Sequence, residues 1–311
     1  MNSCFQTFFY SEMYVKAMLF MLLYFGAVGM GLHAQTTDLA RLEYTYIPQS
    51  NSENTVSRVR AFINLPVELN WEGSYLIAGL EYRNIDFDLK DAVPFDKNNL
   101  QRLQLFRTTM AYTFDMSKNW RFVGKVGMEI DSNFEDRQIR GEDVRFTGSL
   151  FFIKDLSGEN VETPSRLIFG LNYSTNAGRP FPIPLLNYHK KFKPNWSYSV
   201  GTPKTNLKHT INKKHAFQGY ITLDGFFSNL QNDLFIPNAH GSVTSADNIS
   251  MTLVLGGLGY EYYFTKNLLL YVYGGHTIYN EIRLRDEFRN NLYKINDKNT
   301  FYLRSGIKFK L

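Results

Sequence analysis

The stretch KNTFYLRSGIKFKL, from Lys298 to Leu311, alternates between apolar and polar side chains over most of its length. The two parities are Phe301, Leu303, Ile307, Phe309 and Leu311 on one side, and Tyr302, Arg304, Lys308 and Lys310 on the other. Successive side chains of a strand point to opposite faces, so this strand has one apolar and one charged face. Such a strand is typical of the wall of a membrane barrel, which is apolar towards lipid and polar towards the lumen.

The composition of the whole chain favours the same class of fold. The mean hydropathy is −0.29, and only one long apolar run is present, which excludes a bundle of membrane helices. Aromatic residues nevertheless make up 16% of the chain, with 20 Tyr and 26 Phe, as expected where aromatic girdles meet lipid headgroups. Together these features predict an all-β protein, an antiparallel transmembrane β-barrel of the outer-membrane type.

The first part of the chain predicts export. Lys16 precedes the apolar run AMLFMLLYFGAVGMG, and a small-residue pattern ending at Ala34 follows it. The run is shorter than the roughly 20 residues that a membrane helix needs, so residues 1–34 are interpreted as a cleaved signal peptide. Translation could begin at Met1 or at Met13. Residues 35–311 are then expected to form a single barrel domain located in the cell outer membrane.

Charge and cysteine content exclude several other kinds of site. The only cysteine, Cys4, lies inside the predicted signal peptide, so a disulfide framework or thiolate metal site is not expected. The chain has 34 basic and 29 acidic residues, a net charge of +5 that is spread along the sequence, which does not favour nucleic acid. No cofactor is predicted. The expected partners are membrane lipid and, during biogenesis, periplasmic chaperones and the barrel-assembly machinery.

Alternating segments follow one another along the chain with no convincing helix between them. They lie near residues 38–47, 56–67, 74–86, 100–114, 119–131, 143–155, 164–175, 185–192, 196–202, 206–212, 215–228, 248–264, 268–282 and 298–311. The count falls by two if the short pair around Thr202 and Pro203 does not cross fully. The sequence therefore predicts about 12–14 strands, an even number as in bacterial barrels.

The connections between these strands are of two kinds. Tight turns have the sequences SKNW (117–120), KPNW (193–196), NKKH (212–215) and TKNL (265–268). Longer polar stretches lie at residues 87–99, 131–142, 176–184, 229–247 and 283–297. Because tight turns belong on the periplasmic side, both termini are expected to be periplasmic. Trp71, Trp120 and Trp196 lie at or just after short turns, which fits either an interfacial belt or ordinary core packing.

Two further stretches carry a family resemblance. GRPFPIPLLNYHKKF (Gly178 to Phe192) and NKKHAFQGYITLDGFFSN (Asn212 to Asn229), together with the last strand, resemble an uncharacterised family of outer-membrane β-barrels from Bacteroidota. The resemblance covers most of residues 35–311. It implies an outer-membrane location and supplies neither an activity nor functional residues.

The polar faces of the predicted strands carry the candidate functional residues. The inward parity holds the charged residues Arg58, Arg60, Glu81, Arg83, Arg107, Lys125, Glu129 and Arg145. Neighbouring strands would bring these charges within pairing distance. They could form a charged lumen that selects small solutes with a weak preference for anions, or a salt-bridged filling of a narrow barrel.

The segment NAGRPFPIP, residues 176–184, has proline at every second position. Pro180, Pro182 and Pro184 cannot donate ladder hydrogen bonds, so the segment is not expected to be a regular central strand. It could constrict the mouth of the barrel with Arg179 as its charged tip, or form a rigid external loop.

Three functions are compatible with these features. A pore or channel for small solutes is favoured by the inward charges. The alternative is a closed structural or surface-binding barrel that acts through its external loops, with residues 231–246 as the expected binding segment. An outer-membrane enzyme acting on lipid is less favoured. Ser250 and His276 are the nearest catalytic pair, but neither lies in a G-x-S-x-G turn, and the protein is not predicted to be an enzyme.

Overall fold

The chain folds into fifteen strands and two short 3-10 turns within the residues that the structure describes. This computed structural model describes residues 38–310 apart from 72, 158–162, 176–177, 179 and 238–242. The predicted signal peptide therefore lies outside the described residues. The strands are β1 (Asp38–Pro48), β2 (Thr55–Glu68), β3 (Tyr75–Asp88), β4 (Arg102–Ser117), β5 (Trp120–Ser132), β6 (Val144–Leu156), β7 (Ser165–Ser174), β8 (Phe181–Lys193), β9 (Trp196–Gly201), β10 (Lys204–Thr210), β11 (His215–Pro237), β12 (Val243–Tyr263), β13 (Leu268–Arg285), β14 (Asn291–Asn296) and β15 (Phe301–Lys310). The 3-10 turns are Asn98–Leu100 and Gly141–Asp143.

Fourteen of the strands close into a ring. From β1 to β13 each strand pairs antiparallel with the next in sequence, and β15 joins β13 to β1. The remaining strand, β14, lies within the predicted loop 283–297 and pairs with the end of β13. The predicted antiparallel barrel is confirmed, at the upper end of the predicted strand count. No helix among the described residues has the length and apolar character needed to cross a membrane.

The two faces of the wall follow the predicted alternation. In β15, Phe301 is 71% exposed on the outside, whereas the adjacent Tyr302 is 4% exposed on the inside. In β5, Val126 and Met128 are exposed outside and Glu129 is buried inside. Apolar side chains thus form the outer surface of the ring, which is the arrangement that a lipid environment requires.

The two ends of the barrel differ in their connections. All four predicted tight turns lie at one end, where β4, β8, β10 and β12 pass into the following strand. We call this end the turn rim. It also holds Asp38, Lys310 and all three tryptophans, Trp71, Trp120 and Trp196. The opposite end, with the longer connections 89–101 and 133–143, is called the loop rim.

On the loop-rim side, β11 and β12 leave the wall and enter the lumen. The last link of β11 to β10 is the hydrogen bond from the amide of Leu223 to the carbonyl of Pro203, at 2.9 Å. Gly225 has a φ of +152°, and a Cβ there would lie 2.2 Å from the carbonyl oxygen of Met251, so this position requires glycine. Farther along, Asn229 pairs with Ser132 of β5, a strand on a distant part of the ring. We call residues 225–237 and 243–253 the lumen hairpin.

The lumen hairpin packs against the inner wall and fills the loop-rim half of the barrel. The buried apolar cluster joins Phe226, Leu230, Leu234, Ile236, Ile249, Met251 and Leu253 of the hairpin to Ile47, Val56, Ile85, Phe87 and Leu103 of the wall. Burying one such side chain contributes about 1.5–3 kcal/mol. The prediction that residues 229–247 form a long connection between strands was therefore wrong, since β11 and β12 continue through most of them.

The proline-rich segment also differs from its prediction. Pro182 and Pro184 lie in β8, opposite Tyr173 and Leu171 of β7. The segment was predicted to be a connection as far as residue 184, which was wrong because β8 begins at Phe181. This part of β8 is not a regular central strand, because β9 ends at Gly201 and leaves it without a ladder partner on its other side. Proline is tolerated at such an edge because no hydrogen-bond donor is needed there.

Candidate functional site in the barrel lumen

Five of the predicted inward charges form a layer across β2 to β5, which we call the ionic layer. Arg60 and Arg83 each donate from Nε to Glu81, at 2.8 and 2.5 Å. Arg107 donates to Glu81 at 3.3 Å and, through Nε, to Glu129 at 2.8 Å. These contacts follow from the register, which sets Glu81 beside Arg107 and Arg107 beside Glu129. Arg60 and Arg107 therefore bind carboxylates of neighbouring strands, and Arg83 binds Glu81 of its own strand.

Arg58 takes part in a different contact, which spans the lumen. Both of its terminal nitrogens donate to the carboxylate of Asp224, at 2.9 and 2.8 Å, and Arg304 of β15 donates to the same carboxylate. Glu43 of β1 lies 3.7 Å from each of these arginines and accepts a hydrogen bond from Tyr271. We call Asp224 with Arg58 and Arg304 the latch. It binds β11 to the opposite wall at the point where the lumen hairpin begins.

Arg145 contacts the lumen hairpin as well. Its guanidinium lies 4.8 Å from the ring centre of Phe227, and its Nη1 lies 3.7 Å from Asp131. Asp131 also accepts a hydrogen bond from Ser228 of the hairpin. Charged wall residues of β5 and β6 therefore help to hold the hairpin inside the barrel.

Residues 229–231 of β11 are bound at the loop rim by amide side chains. Asn229 and Gln231 donate to the two carboxylate oxygens of Asp143, at 2.8 and 2.6 Å. The side-chain oxygen of Asn133 accepts from the backbone amide of Gln231, at 2.8 Å. These contacts connect the lumen hairpin to the segment that follows β5, so the lumen is crossed a second time, closer to the loop rim than the latch.

Lys125 differs from the other predicted cations. It has no hydrogen bond or ion pair with any described residue. It lines a cavity of about 180 Å³ together with Arg60, Phe62, Asn64, Gly79, Leu80, Glu81, Arg107 and Thr109. The cavity lies on the turn-rim side of the ionic layer, because Asn64, Thr109 and Lys125 are each closer to that rim than the layer's residue on the same strand.

A larger cleft of about 640 Å³ lies at the loop rim. It is lined by Asp86, Phe87, Asp88, Leu89, Lys97, Asn98, Gln101, Arg102, Gln104, Asn133, Phe134 and Glu135. Its walls come from the ends of β3 to β5 and the connections that follow them.

Two of the predicted mouth residues do not line this lumen. Pro182 and Pro184 are exposed on the outward parity of β8, so they face away from the interior. Pro180 is buried just before β8 begins, and Arg179 lies outside the described residues.

The predicted catalytic pair does not form. Ser250 is fully buried and accepts a hydrogen bond from Arg285 Nε at 2.8 Å. His276 is exposed on the outside of β13, where it pairs with Gly256. Ser250 and Gly256 are six residues apart on β12, which is about 20 Å along a strand. Among the described residues, no group of three or more His, Asp or Glu side chains could hold a metal ion.

Sequence reasoning missed the latch. Glu43 and Arg304 lie on inward parities, but Asp224 was not recognised because the pattern around it breaks down. The adjacent Phe226 and Phe227 interrupt the two-residue period, and this interruption is the signal that β11 becomes buried on both faces.

Comparison with known proteins gives a family and several distant structures. The model of a family described as a domain of unknown function (DUF6268) matches residues 30–310. The chain is similar to the COG4313 outer membrane channel from Pseudomonas putida F1, with 11% identity, a TM-score of 0.39 and coverage of 91% of this chain and 100% of that one. The KdgM porin has 8% identity, a TM-score of 0.33 and coverage of 87% and 99%. LpxR from Salmonella typhimurium has 7% identity, a TM-score of 0.36 and coverage of 87% and 99%. Such low identities and TM-scores carry no functional information. No curated protein is similar to the chain in sequence.

Proposed function

The chain belongs to the DUF6268 family, whose function is unknown, and we propose that it is a gated outer-membrane barrel. In this proposal the lumen hairpin closes the barrel at rest, and small solutes pass when the hairpin moves. The observation that carries the proposal is the difference between the two halves of the lumen. The loop-rim half is filled by a hairpin from the chain itself, whereas the turn-rim half keeps a polar cavity.

The contacts of the hairpin support a gate. A permanent filling would need only the apolar cluster, yet the hairpin is also bound through the latch and through Asp143. In this proposal the pore opens when water replaces these polar contacts and the hairpin moves. The inward cations on the turn-rim side then give the preference for anions.

The location of the barrel is part of the same proposal. The apolar outer face, the predicted export signal and the tight turns on one rim support an outer membrane, with the turn rim and both termini facing the periplasm. Membrane lipid then contacts the outer face. Periplasmic chaperones and the barrel-assembly machinery would handle the chain before it inserts.

A reversible lock tests the gate. Ser132 and Asn229 pair directly across the lumen, so cysteines at both positions have the backbone proximity that a disulfide needs. Unitary conductance is measured in planar bilayers for wild type and for the double variant Ser132→Cys/Asn229→Cys. We expect brief openings in wild type, none in the oxidised variant, and their return on reduction. The single variant Ser132→Cys controls for the redox treatment.

One outcome of these recordings would contradict the proposal. If wild type and the reduced double variant show no steps above leak, the barrel does not conduct.

A second candidate function is binding at the loop rim by a closed barrel. It is favoured by the ion pairs of the ionic layer and by the 640 Å³ cleft, where carboxylates, amides and Phe134 face outwards together. This function predicts a barrel that stays silent in bilayers whether or not its lumen hairpin is present.

A further inference from the structure

The cavity beside Lys125 has an unequal balance of charge. The ionic layer and the cavity together hold four cations, Arg60, Arg83, Arg107 and Lys125, but only two carboxylates, Glu81 and Glu129. The layer and the cavity together therefore carry a formal surplus of two positive charges. The carboxylates already bind the arginines, so Lys125 is left without a described ion-pair partner.

Polar groups surround the same space. The guanidinium groups of Arg60 and Arg107 both donate hydrogen bonds to Glu81 of the ionic layer. Each guanidinium has five N–H donors in a planar fork. Thr109 adds a hydroxyl, while the amide nitrogen of Asn64 is already bound to the carbonyl of Asp38, at 3.0 Å.

A glycine keeps the cavity open. A Cβ at Gly79 would lie 2.4 Å from the hydroxyl of Thr109 and 2.7 Å from the side-chain oxygen of Asn64. Any larger residue at this position would enter the space between β2 and β4. The room next to Lys125 thus depends on the lack of a side chain at Gly79.

We propose that this cavity binds a small soluble oxyanion, a carboxylate or phosphate, with Lys125 as its principal ligand. The anion supplies the negative charge that balances the surplus of cations over Glu81 and Glu129, and charge-assisted hydrogen bonds from Lys125 and Arg60 hold it. The cavity lies on the turn-rim side of the hairpin, so the anion reaches it without passing the closed half of the barrel. The inference that this anion is the solute of a pore rests on the proposed function, whereas binding of the anion in the cavity does not require conduction.

Titration calorimetry of the purified full chain in detergent tests the site, with sodium phosphate and sodium acetate as probes at constant ionic strength. Wild type is expected to bind at least one of them saturably. Lys125→Gln should weaken that binding about tenfold or more, because it removes a charged hydrogen bond. Lys118→Gln removes the same charge from an exposed turn and should bind as wild type does.

Lys125→Arg keeps the charge and should retain most of the affinity, which separates loss of the ligand from loss of the fold. Absence of saturable binding of both anions to wild type overturns the site, even if Lys125→Gln does not fold. Equal weakening by Lys118→Gln and Lys125→Gln overturns it as well. Since the titration is done at equilibrium in detergent, a silent barrel that binds and a conducting barrel that does not are distinguishable.

Discussion

The two halves of the lumen are built from the same strands and yet have different interiors. Near the turn rim the inner face presents Asn64, Thr109 and Lys125 around a cavity. Near the loop rim the inner faces of the same strands β2 to β4 present apolar residues such as Val56 and Leu103, buried against the lumen hairpin. On these strands the inner face is polar beside the cavity, and it is apolar where the lumen hairpin packs against it.

Charged residues lie at the boundary between the two halves of the lumen. The ionic layer and the latch both lie between the cavity and the apolar residues of the hairpin, and Asp224 connects the latch to the base of the hairpin. Buried ion pairs contribute little net stability compared with apolar packing, but they fix geometry. We infer that the latch determines where β11 turns into the lumen, while the apolar cluster provides most of the binding energy.

Removal of the hairpin tip, residues 231–246, should have the largest effect on the difference between the two halves of the lumen. Deletion of residues 231–246 leaves Leu230 and Asp247 between the paired residues Asn229 and Asn248, and the changes Leu230→Asn and Asp247→Gly give a favourable two-residue turn. The loop-rim half loses Leu230, Leu234 and Ile236 from its apolar filling, while Phe226, Ile249, Met251 and Leu253 remain at the base of the hairpin. Planar-bilayer recordings are expected to show long openings in place of brief ones.

The matched control shortens a different hairpin at the same rim. Glu287 and Phe288 lie in the exposed turn between β13 and β14, outside the ring, and their deletion should leave conductance as in wild type. A silent barrel after deletion of 231–246 would place the barrier in the turn-rim half and contradict the gate.

The latch itself is the next target. Asp224→Asn keeps the shape of the side chain but removes the charge that Arg58 and Arg304 share, and it leaves two buried cations poorly compensated. Removing one partner of a buried ion pair costs about 3–5 kcal/mol of unfolding free energy. Urea titration in lipid vesicles measures this loss.

An exposed ion pair on the same barrel serves as the comparison for the latch. Asp115 and Arg121 are 2.9 Å apart at the turn rim with side chains 45% and 27% exposed, so Asp115→Asn should change the unfolding free energy by less than about 1 kcal/mol. Equal effects of Asp115→Asn and Asp224→Asn would show that the latch is not a buried pair in the membrane.

The wall could be predicted from sequence because each strand has a two-residue period and its turns are short. The lumen hairpin could not, since residues 231–247 are rich in Asn, Asp and Ser and resemble a solvated loop. One signal was available. Leu103 and Leu105 share the inward parity of Arg107, so the apolar residues of β4 change face along the strand, as expected when something apolar enters the lumen. The latch could not be predicted from the sequence because its residues are far apart in the chain and meet only through the path of β11.

The stabilisation that comes from packing inside the lumen can be compared with that from packing against lipid by making the same substitution at two sites. Leu253 is 1% exposed within the apolar cluster, whereas Leu258 on the same strand is 75% exposed on the outer face. Leu253→Ala should cost about 3 kcal/mol, since it loses transfer energy and leaves a cavity. Leu258→Ala should cost about 2 kcal/mol, because fluid lipid chains fill the space. Equal losses in urea titrations would indicate that the hairpin packs loosely.

The smallest effect is expected from a hydrogen bond that joins β11 to β15 next to the latch. The hydroxyls of Tyr220 and Tyr302 bind each other, and the two side chains are 5% and 4% exposed. Tyr302→Phe leaves the hydroxyl of Tyr220 buried without its partner and should cost about 1 kcal/mol, whereas the outward Tyr44→Phe should cost nothing measurable. The double variant Tyr220→Phe/Tyr302→Phe should be more stable than Tyr302→Phe alone, because no unpaired hydroxyl remains. A double variant whose loss equals the sum of the single losses would mean that water already hydrates these hydroxyls, and the polar half of the lumen would then extend past the latch.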